Sequence, residues 1–336
     1  MRDVAVVSFA QSIAAEEPER NEVEILMPVV AQAVERSGIP KEEIGFTCSG
    51  SADFLAGQPF AFVNGLEAIG AWPPIRESHL EMDGAWALYE AWVRLQHGDV
   101  DSALVYGFGK SSMGSLRDVL AVQLDPYYLA PLWPDAISLA ALQARAVLEG
   151  TDHTEREMAE VAARTTGADV DDLLSEPFVV SPLRRHDIAR VADGAAAVVL
   201  AAGDLAREVA ERPVWIRGID HRVEPHSLGA RDLTRSSSTE IAARAAGVNG
   251  GGIDVAELYA PFTHQELLLR DALGLNGETV INPSGGALAT NPMMAAGLIR
   301  IGEAAARIAD GSANRALAHA TSGACLQQNL VCVLEA

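Results

Sequence analysis

Two segments in the last third of the chain carry side chains that could move a proton or hold a developing negative charge. Tyr259 follows the apolar run IDVAEL and precedes a helical pattern, so its hydroxyl is either a proton-transfer group or the polar end of a buried strand. Asn291 lies in ATNP, where its amide is either an oxyanion donor or a turn residue before proline. His264 begins the next predicted helix and is either a proton-transfer group that titrates near neutral pH or a capping or surface histidine.

Two carboxylates stand just before the apolar helix predicted at residues 84–98. The free N–H groups and the dipole at a helix N-terminus stabilise a nearby negative charge, so capping is one explanation of Asp83. Carboxylates are also common proton acceptors in enzymes. Glu81 and Asp83 are therefore candidates for either capping or catalysis.

A further set of residues could contact a ligand. Gly285 and Gly286 would let the backbone approach a bound molecule closely, or would form a tight turn before the next helix. Arg184 and Arg185 could meet phosphate groups in an otherwise acidic protein, or could form a solvated pair. Cys325 is the only cysteine in a glycine-containing loop and is a candidate nucleophile.

Composition and charge exclude several classes of function. In 336 residues, 25 Lys and Arg stand against 46 Asp and Glu, which gives a formal charge of −21 and would repel nucleic acid. The three cysteines show no CxxC spacing typical of zinc or redox sites. The longest small-apolar run, at 194–203, is about half of what a membrane span needs. We therefore expect a protein of the reducing cytoplasm, with no membrane span, metal or nucleic-acid partner.

The apolar pattern predicts an α/β protein in which strands and helices alternate. Such alternation implies a largely parallel sheet. The predicted elements are a strand at 4–10, a helix at 21–38, a strand at 44–48, helices at 59–70 and 84–98, and strands at 102–109, 192–204 and 214–220.

The segment at about 110–190 has a different pattern, with YYLAPLWP and one predicted helix near 155–164. It is interpreted as an insertion or lid over the sheet. We therefore expect an N-terminal half at 1–205 that includes this insertion, and a C-terminal half at 206–336.

An internal repeat indicates that these halves arose by duplication. EAWVRLQHGDVDSALVYG begins at residue 90 and EAAARIADGSANRALAHA at residue 303, an offset of 213 obtained as 303 − 90. Each copy predicts a helix, a glycine-containing turn and a buried strand in the same order. Chance similarity between two alanine-rich units is the alternative.

The runs DGAAAVVL at 193–200 and NPSGGALATNP at 282–292, together with the opening MRDVAVVSFAQS, resemble the thiolase superfamily. The resemblance spans essentially the whole chain and is closest to the sterol-carrier-protein-X or lipid-transfer-protein branch of actinobacterial steroid and acyl-CoA catabolism. It implies a duplicated, five-layered α-β-α-β-α fold, a dimer, and a coenzyme A thioester as substrate without a further cofactor.

Four positions carry thiolase chemistry, and this chain departs from the family at each of them. Aligning the family's nucleophile turn with the start of the third predicted helix puts Glu81 in place of the cysteine. The Asn or His of the family's NEAF or HDCF-like motif falls on Tyr259, and the GHP histidine falls on Asn291. The second cysteine falls near Thr321 or Ser322 in HATSGACLQQN.

These differences separate two reaction types. Thiolytic Claisen cleavage needs an acyl-enzyme and hence an activated thiolate, which Glu81 cannot provide. Retro-aldol cleavage of a β-hydroxyacyl-CoA needs only a base and hydrogen-bond donors to the enolate, and Tyr259, Asn291, His264, Glu81 and Asp83 could supply these. We therefore expect a carbon-carbon lyase acting on a branched or steroid side-chain β-hydroxyacyl-CoA.

Two other interpretations stay open at this point. The chain could be a non-catalytic lipid- or acyl-CoA-binding subunit paired with a thiolase-like paralogue, or an acyltransferase that uses Cys325. The resemblance implies a homodimer or a hetero-oligomer. It also implies an OB-fold, zinc-ribbon acyl-CoA-binding partner, because close relatives work beside one.

Overall fold

The computed structural model of the protein describes residues 2–248, 252–275 and 277–336. Its first part alternates strands with helices. The elements are β1 (Val4–Ala14), α1 (Glu22–Ser37), β2 (Phe46–Gly50), α2 (Asp53–Ala56), α3 (Phe62–Ile69), β3 (Glu77–Leu80), α4 (Gly84–His97) and β4 (Ser102–Lys110).

The segment at 111–190 is mainly helical. It contains α5 (Leu116–Val122), α6 (Ala136–Gly150), α7 (Glu155–Thr166), α8 (Val170–Ser175), β5 (Phe178–Val180) and β6 (Leu183–Arg184). The sequence predicts one of these helices, near 155–164, and misses the other three.

The rest of the chain returns to alternating elements. They are β7 (Val191–Ala202), α9 (Gly203–Val209), β8 (Val214–Val223), α10 (Ser237–Ala245), β9 (Val255–Leu258), α11 (Thr263–Leu273), β10 (Val280–Ile281), α12 (Gly286–Ala289), β11 (Asn291–Pro292), α13 (Ala296–Ala309), β12 (Arg315–Ser322) and β13 (Gln328–Glu335). None of the described helices is both long enough and apolar enough to cross a bilayer.

The main sheet repeats one strand order twice. One side runs β3-β2-β4-β7-β1 and the other runs β10-β9-β12-β13-β8, and the two sides join where β1 pairs with β8. In the first, β2 is parallel to β3 and β4, and β7 is antiparallel to both neighbours. In the second, β9 is parallel to β10 and β12, and β13 is antiparallel to both neighbours. The duplicated fold predicted from the sequence is confirmed.

Three apolar clusters define five layers. The central cluster joins α4 and α13 to the inner faces of both sides of the sheet, through residues such as Leu88, Val198, Leu298 and Cys332. An outer cluster packs α1 and α3 on the first side, and another packs α10 and α11 on the second side. The order α-β-α-β-α matches the prediction, and α4–β4 and α13–β12 are the repeated unit.

Local sequence signals fix the ends of these helices. Asn21 accepts the Glu24 N–H while the Glu24 side chain accepts the Asn21 N–H, which forms a capping box at the start of α1. Gly38 ends α1 in the left-handed region at φ +69°, where glycine has no steric cost. The predicted bounds of α1 and α4 are therefore correct to within one residue.

The 111–190 segment packs on α11. Helices α6 and α7 bury apolar side chains, including Ala144 and Met158, against Leu267 of α11. Its end is held by the Ala189 N–H, which donates to the Pro261 carbonyl at 2.9 Å. The segment therefore covers a helix of the outer layer.

Candidate active site

Strand ends and helix starts meet at one edge of the fold. β9 and β12 are parallel with Leu258 opposite His319, so the residues after both strands leave the sheet at the same edge. The Tyr259 N–H donates to the His319 carbonyl at 3.1 Å, and Ser322 ends β12 there, partly exposed. Ligands of open α/β sheets typically bind outside the carboxyl ends of the strands.

Asp83 caps both central helices at this edge. Its Oδ1 accepts the N–H groups of Ala85 at 2.9 Å and Leu298 at 3.0 Å, and its Oδ2 accepts the Gly297 N–H at 2.9 Å. Burial raises the pKa of Asp83, while these donors and Arg300 act in the opposite direction. Because both carboxylate oxygens are engaged, Asp83 is suited to holding α4 and α13 together.

Tyr259 and Asn291 form a buried hydrogen-bonded pair. The Tyr259 hydroxyl donates to Asn291 Oδ1 at 2.7 Å, and both side chains are buried. Burial, helped by the negative charge of Asp83, raises the pKa of Tyr259 far above its ordinary value, so the phenol is neutral at physiological pH. The Asn291 amide nitrogen has no protein partner in the described part of the chain, and it is available as a donor.

The first half of the chain positions Asn291. The Asn291 N–H donates to the Arg190 carbonyl at 2.9 Å, and β11 pairs with the start of β7. A Cβ on Gly107 of β4 would lie 2.4 Å from the Met294 carbonyl oxygen, which also accepts the Gly84 N–H at 2.9 Å. Glycine at position 107 therefore lets the segment after Asn291 pack directly on the first half.

The two predicted ligand-contacting glycines form a tight turn at the start of α12. Gly285 has φ +93° and Gly286 has φ +63°, a region that disfavours residues with a Cβ. A Cβ on Gly286 would lie 2.8 Å from Asn282 Nδ2. Both glycines are therefore required by the backbone conformation.

A buried ion pair, which the sequence does not reveal, holds this turn. Arg300 Nη1 contacts Glu257 Oε2 at 2.9 Å, and the Ser284 hydroxyl donates to the same oxygen at 2.7 Å. Burial raises the pKa of Glu257, whereas Arg300 acts to lower it. The Leu258 N–H donates to Asn282 Oδ1 at 2.6 Å, so the residue before Tyr259 is tied to the same turn.

His264 and Cys325 belong to a neighbouring polar cluster built on Gln143 of α6. His264 Nε2 lies 3.2 Å from Gln143 Oε1, and Gln143 Nε2 donates to the Cys325 carbonyl at 3.4 Å. Burial lowers the pKa of His264 to about 3 and raises the pKa of the Cys325 thiol to about 11. Of the alternatives for His264, a surface histidine is wrong because the ring is fully buried, and the lowered pKa counts against titration near neutral pH.

Three other predicted residues lie apart from the Tyr259–Asn291 pair. Glu81 is largely exposed, and its Oε1 accepts the Asp53 N–H at 2.6 Å. Incomplete solvation of the carboxylate raises the pKa of Glu81. Arg184 is buried and forms an ion pair with Glu155 at 2.6 Å, whereas Arg185 is exposed. None of these side chains makes a described hydrogen bond to the pair.

Comparison with known proteins supports the resemblance seen in the sequence. No family model matches the chain. The acetyl-CoA acetyltransferase of Methanocaldococcus jannaschii is 25% identical, over 90% of this chain and 89% of that protein. That of Methanothermobacter thermautotrophicus is 31% identical over 40% of this chain and 41% of its own length. The Gallus gallus sterol carrier protein 2 is 25% identical over 86% of this chain and 63% of its own length.

A solved structure shows the fold. The Ltp2-ChsH2(DUF35) aldolase superposes with a TM-score of 0.81 over 99% of this chain and 98% of that chain, at 17% identity. The chain is thiolase-like. The predicted resemblance to the thiolase superfamily is confirmed by the acetyl-CoA acetyltransferases and the sterol carrier protein 2, and the solved structure confirms the fold. The alignments with the Methanothermobacter and Gallus proteins cover less than two thirds of those proteins.

Proposed function

We propose that this thiolase-like protein is a carbon-carbon lyase that cleaves a branched or steroid side-chain β-hydroxyacyl-CoA by a retro-aldol reaction. The observation that carries the proposal is the Tyr259–Asn291 pair, joined at 2.7 Å where the resemblance puts two thiolase catalytic positions. A neutral phenol and a free amide donor suit the stabilisation of an enolate. They provide no nucleophile for an acyl-enzyme.

The proposed reaction conserves atoms and electrons without a further reactant. A base takes the proton of the β-hydroxyl group, and the oxygen forms the carbonyl of a released ketone or aldehyde. The bond between the α and β carbons breaks, and its electron pair passes to the thioester as an enolate. Protonation of the α carbon then gives the shorter acyl-CoA.

Each polar residue of the site has a role that fits its environment. The Asn291 amide would donate to the thioester oxygen as negative charge develops, and the neutral Tyr259 would donate a proton or a hydrogen bond. Asp83 has both oxygens engaged by backbone donors. Glu81 does not contact the Tyr259–Asn291 pair, but one of its oxygens is free of the Asp53 N–H and the resemblance aligns it with the thiolase nucleophile, so we propose Glu81 as the base.

We assign substrate contacts to the turn residues and to the exposed arginine. Gly285 and Gly286 follow β10, and Ser322 ends β12, at the carboxyl edge of the sheet, where they would contact the thioester. Arg185 is exposed and would meet the phosphates of coenzyme A, whereas Arg184 is engaged by Glu155.

Two relatives are named acetyl-CoA acetyltransferases, which makes acyl transfer through Cys325 the second candidate. The environment of this thiol disfavours it, because burial raises the pKa of Cys325 to about 11 and the thiolate is the nucleophile. Intact-mass measurement after incubation with an acyl-CoA tests it. We expect no acyl adduct, and an adduct that disappears in Cys325→Ser would favour transfer.

We further propose that the protein works in the cytoplasm as a dimer or with a second subunit. Cys48, Cys325 and Cys332 are all free thiols, which suits a reducing compartment. The matching aldolase is named for two components, and this chain would likewise work beside an acyl-CoA-binding, OB-fold zinc-ribbon partner or a thiolase-like paralogue.

The test is product analysis by mass spectrometry, with whatever subunit co-purifies from the native host. The wild type should cleave β-hydroxyacyl-CoA and should not cleave β-ketoacyl-CoA in the presence of CoA. Tyr259→Phe should lower turnover at least about a hundredfold and leave the far-UV circular dichroism unchanged. Tyr106→Phe is the matched control, because Tyr106 is a buried tyrosine of the outer cluster on the first side of the sheet and the loss of its hydroxyl should not affect turnover.

Two outcomes would count against the proposal. A Tyr259→Phe enzyme with turnover within about threefold of wild type would remove Tyr259 from the mechanism. A chain that cleaves neither substrate, but raises the activity of a co-purified paralogue, would show that it is an accessory subunit.

A further inference from the structure

The turn after β12 has an unusual backbone. Gly323, Cys325 and Leu326 have φ values of +77°, +55° and +57°. The left-handed region is costly for residues with a Cβ, and two such residues follow one another here. Conformations of this kind persist where the surrounding structure imposes them.

Side chains from three elements hold the carbonyl oxygens of this turn. Arg231 Nη2 donates to the Ala324 carbonyl at 2.9 Å, and Arg231 Nη1 donates to the Cys325 carbonyl at 3.1 Å. Gln143 donates to the same Cys325 carbonyl at 3.4 Å. Asn329 of β13 donates to the Leu326 carbonyl at 2.8 Å. Three successive carbonyls are therefore fixed from outside the turn.

Arg231 forms no ion pair with a described residue; burial lowers its pKa, although the charge of Glu224 acts on it from a greater distance to raise its pKa. The Arg231 side chain is partly buried, and no described carboxylate lies within the 4.0 Å of an ion pair, although the sequence has 46 Asp and Glu residues. Its Nε is buried without a described partner. The planar guanidinium places two parallel N–H donors at a fixed spacing, and here both donors go to adjacent carbonyls. The two hydrogen bonds of Arg231 thus fix the geometry of the turn.

The held turn adjoins the candidate active site. It begins directly after Ser322, at the end of the strand whose His319 carbonyl accepts the Tyr259 N–H at 3.1 Å. A change in this turn would alter the shape of the edge where the substrate is proposed to bind.

We propose that Arg231 is a positioning residue, which holds the left-handed turn at 323–326 in the conformation that the acyl-CoA site requires. This inference rests on the proposed function for its link to turnover. The link between Arg231 and the turn does not depend on that function. Gln143 and Asn329 support the same turn, but among the described side chains Arg231 is the one that holds two of its carbonyls.

The test uses Cys325 as a reporter of the turn. The alkylation rate of each cysteine by iodoacetamide at pH 8 is measured in the folded protein by peptide mass spectrometry. Cys48 and Cys332 are fully buried in the central cluster and serve as internal controls. The variants are Arg231→Lys and Arg231→Met, with Arg235→Lys as the matched control because Arg235 is exposed and pairs with Glu240.

If Arg231 holds the turn, both variants at position 231 should alkylate at Cys325 at least about tenfold faster, while Cys48 and Cys332 stay unmodified. Lysine keeps the charge but cannot hold two carbonyls at a fixed spacing. If Arg231 acts only through its charge, Arg231→Lys should label at the wild-type rate and Arg231→Met more slowly, which would overturn the proposal. Faster labelling of all three cysteines would also overturn it, because it would report general unfolding.

Turnover provides a second readout. Displacement of the turn should lower kcat about tenfold or more in Arg231→Lys, with wild-type kcat in Arg235→Lys. If the wild type cleaves no β-hydroxyacyl-CoA, the alkylation result still decides the role of Arg231 in the turn. If the wild type is active and Arg231→Lys alkylates faster with unchanged kcat and KM, the turn does not serve the reaction and the proposal fails.

Discussion

Replacement of Asp83 by asparagine should destabilise the whole fold, because one carboxylate caps two central helices. Its oxygens accept three backbone N–H groups, from Ala85, Gly297 and Leu298. Asparagine has nearly the same shape but only one acceptor oxygen. Its Oδ1 can still accept the two N–H groups at 2.9 and 3.0 Å, whereas its amide group would face the Gly297 N–H, donor against donor.

The expected cost follows from these contacts. A buried donor left without an acceptor costs about 1–3 kcal/mol, and loss of the charge at two helix N-termini costs about 0.3–1 kcal/mol each. Burial raises the pKa of Asp83, so removing the buried charge offsets part of this loss. We expect Asp83→Asn to lower the free energy of unfolding by about 3 kcal/mol. With an unfolding entropy of about 2.1 cal/mol/K per residue, the Tm should fall by about 4 °C.

Differential scanning calorimetry at pH 7.5 measures this shift, with Asp169→Asn as the matched control. Asp169 caps α8 through the N–H groups of Asp171 and Asp172 and is exposed. Asparagine and aspartate are equally good at an exposed N-cap, so this Tm should change by less than about 1 °C. Equal shifts in the two variants would refute the argument that Asp83 acts as a shared cap.

Two further predictions concern pH and the glycine turn. Burial lowers the pKa of His264 to about 3 and of His319 to about 4, whereas an unfolded histidine titrates near 6.5. The stability that each neutral histidine contributes is therefore fully present above pH 6.5 and is lost as pH falls. At pH 5 the free energy of unfolding should be lower by about 2 kcal/mol per histidine. His319→Gln should reduce the difference in unfolding free energy between pH 7.5 and pH 5 by about that amount; an unchanged difference in urea titrations would contradict it. Gly286→Ala should lower both Tm and turnover, because φ is +63° and the new Cβ would lie 2.8 Å from Asn282 Nδ2. Gly57→Ala is the control, because φ is +69° but the space around it is open, so it should lower the free energy of unfolding by only about 1 kcal/mol. Equal losses of unfolding free energy in the two variants would show that crowding at Gly286 is unimportant.

The periodic part of the fold could be predicted from the sequence because it depends on local signals. The repeat at 90 and 303 falls on α4–β4 and α13–β12, which the structure places in equivalent positions. Helix α6 was missed although Asp135 caps it. Its alanines are buried against α11, and a pattern of small residues carries little amphipathic contrast.

Site residues could be predicted from the sequence only where the side chain itself suggests a chemical role, as a tyrosine hydroxyl or an asparagine amide does. The sequence predicts a role for both Tyr259 and Asn291, and the two side chains meet at 2.7 Å although 32 positions separate them. The sequence does not predict the Glu257–Arg300 ion pair, because no spacing rule relates residues 43 positions apart and a buried charge is recognised only once its partner is known. It does not predict the role of Arg231 either, because the carbonyls that Arg231 contacts lie more than 90 positions away. The burial of His264 could not be predicted, because its position at a helix start does not reveal that Gln143 of α6 packs against it.

The packing of the 111–190 segment on α11 has a consequence for synthesis of the chain. Leu183 and Met158 belong to a cluster that is completed by Leu267. At about 5–20 residues per second, the ribosome reaches residue 267 roughly 4–17 s after residue 183. During that interval the apolar faces of α6 and α7 have no covering helix. Nascent chains that stop before α11 are therefore expected to be substrates for chaperones, even though their first strands and helices are complete.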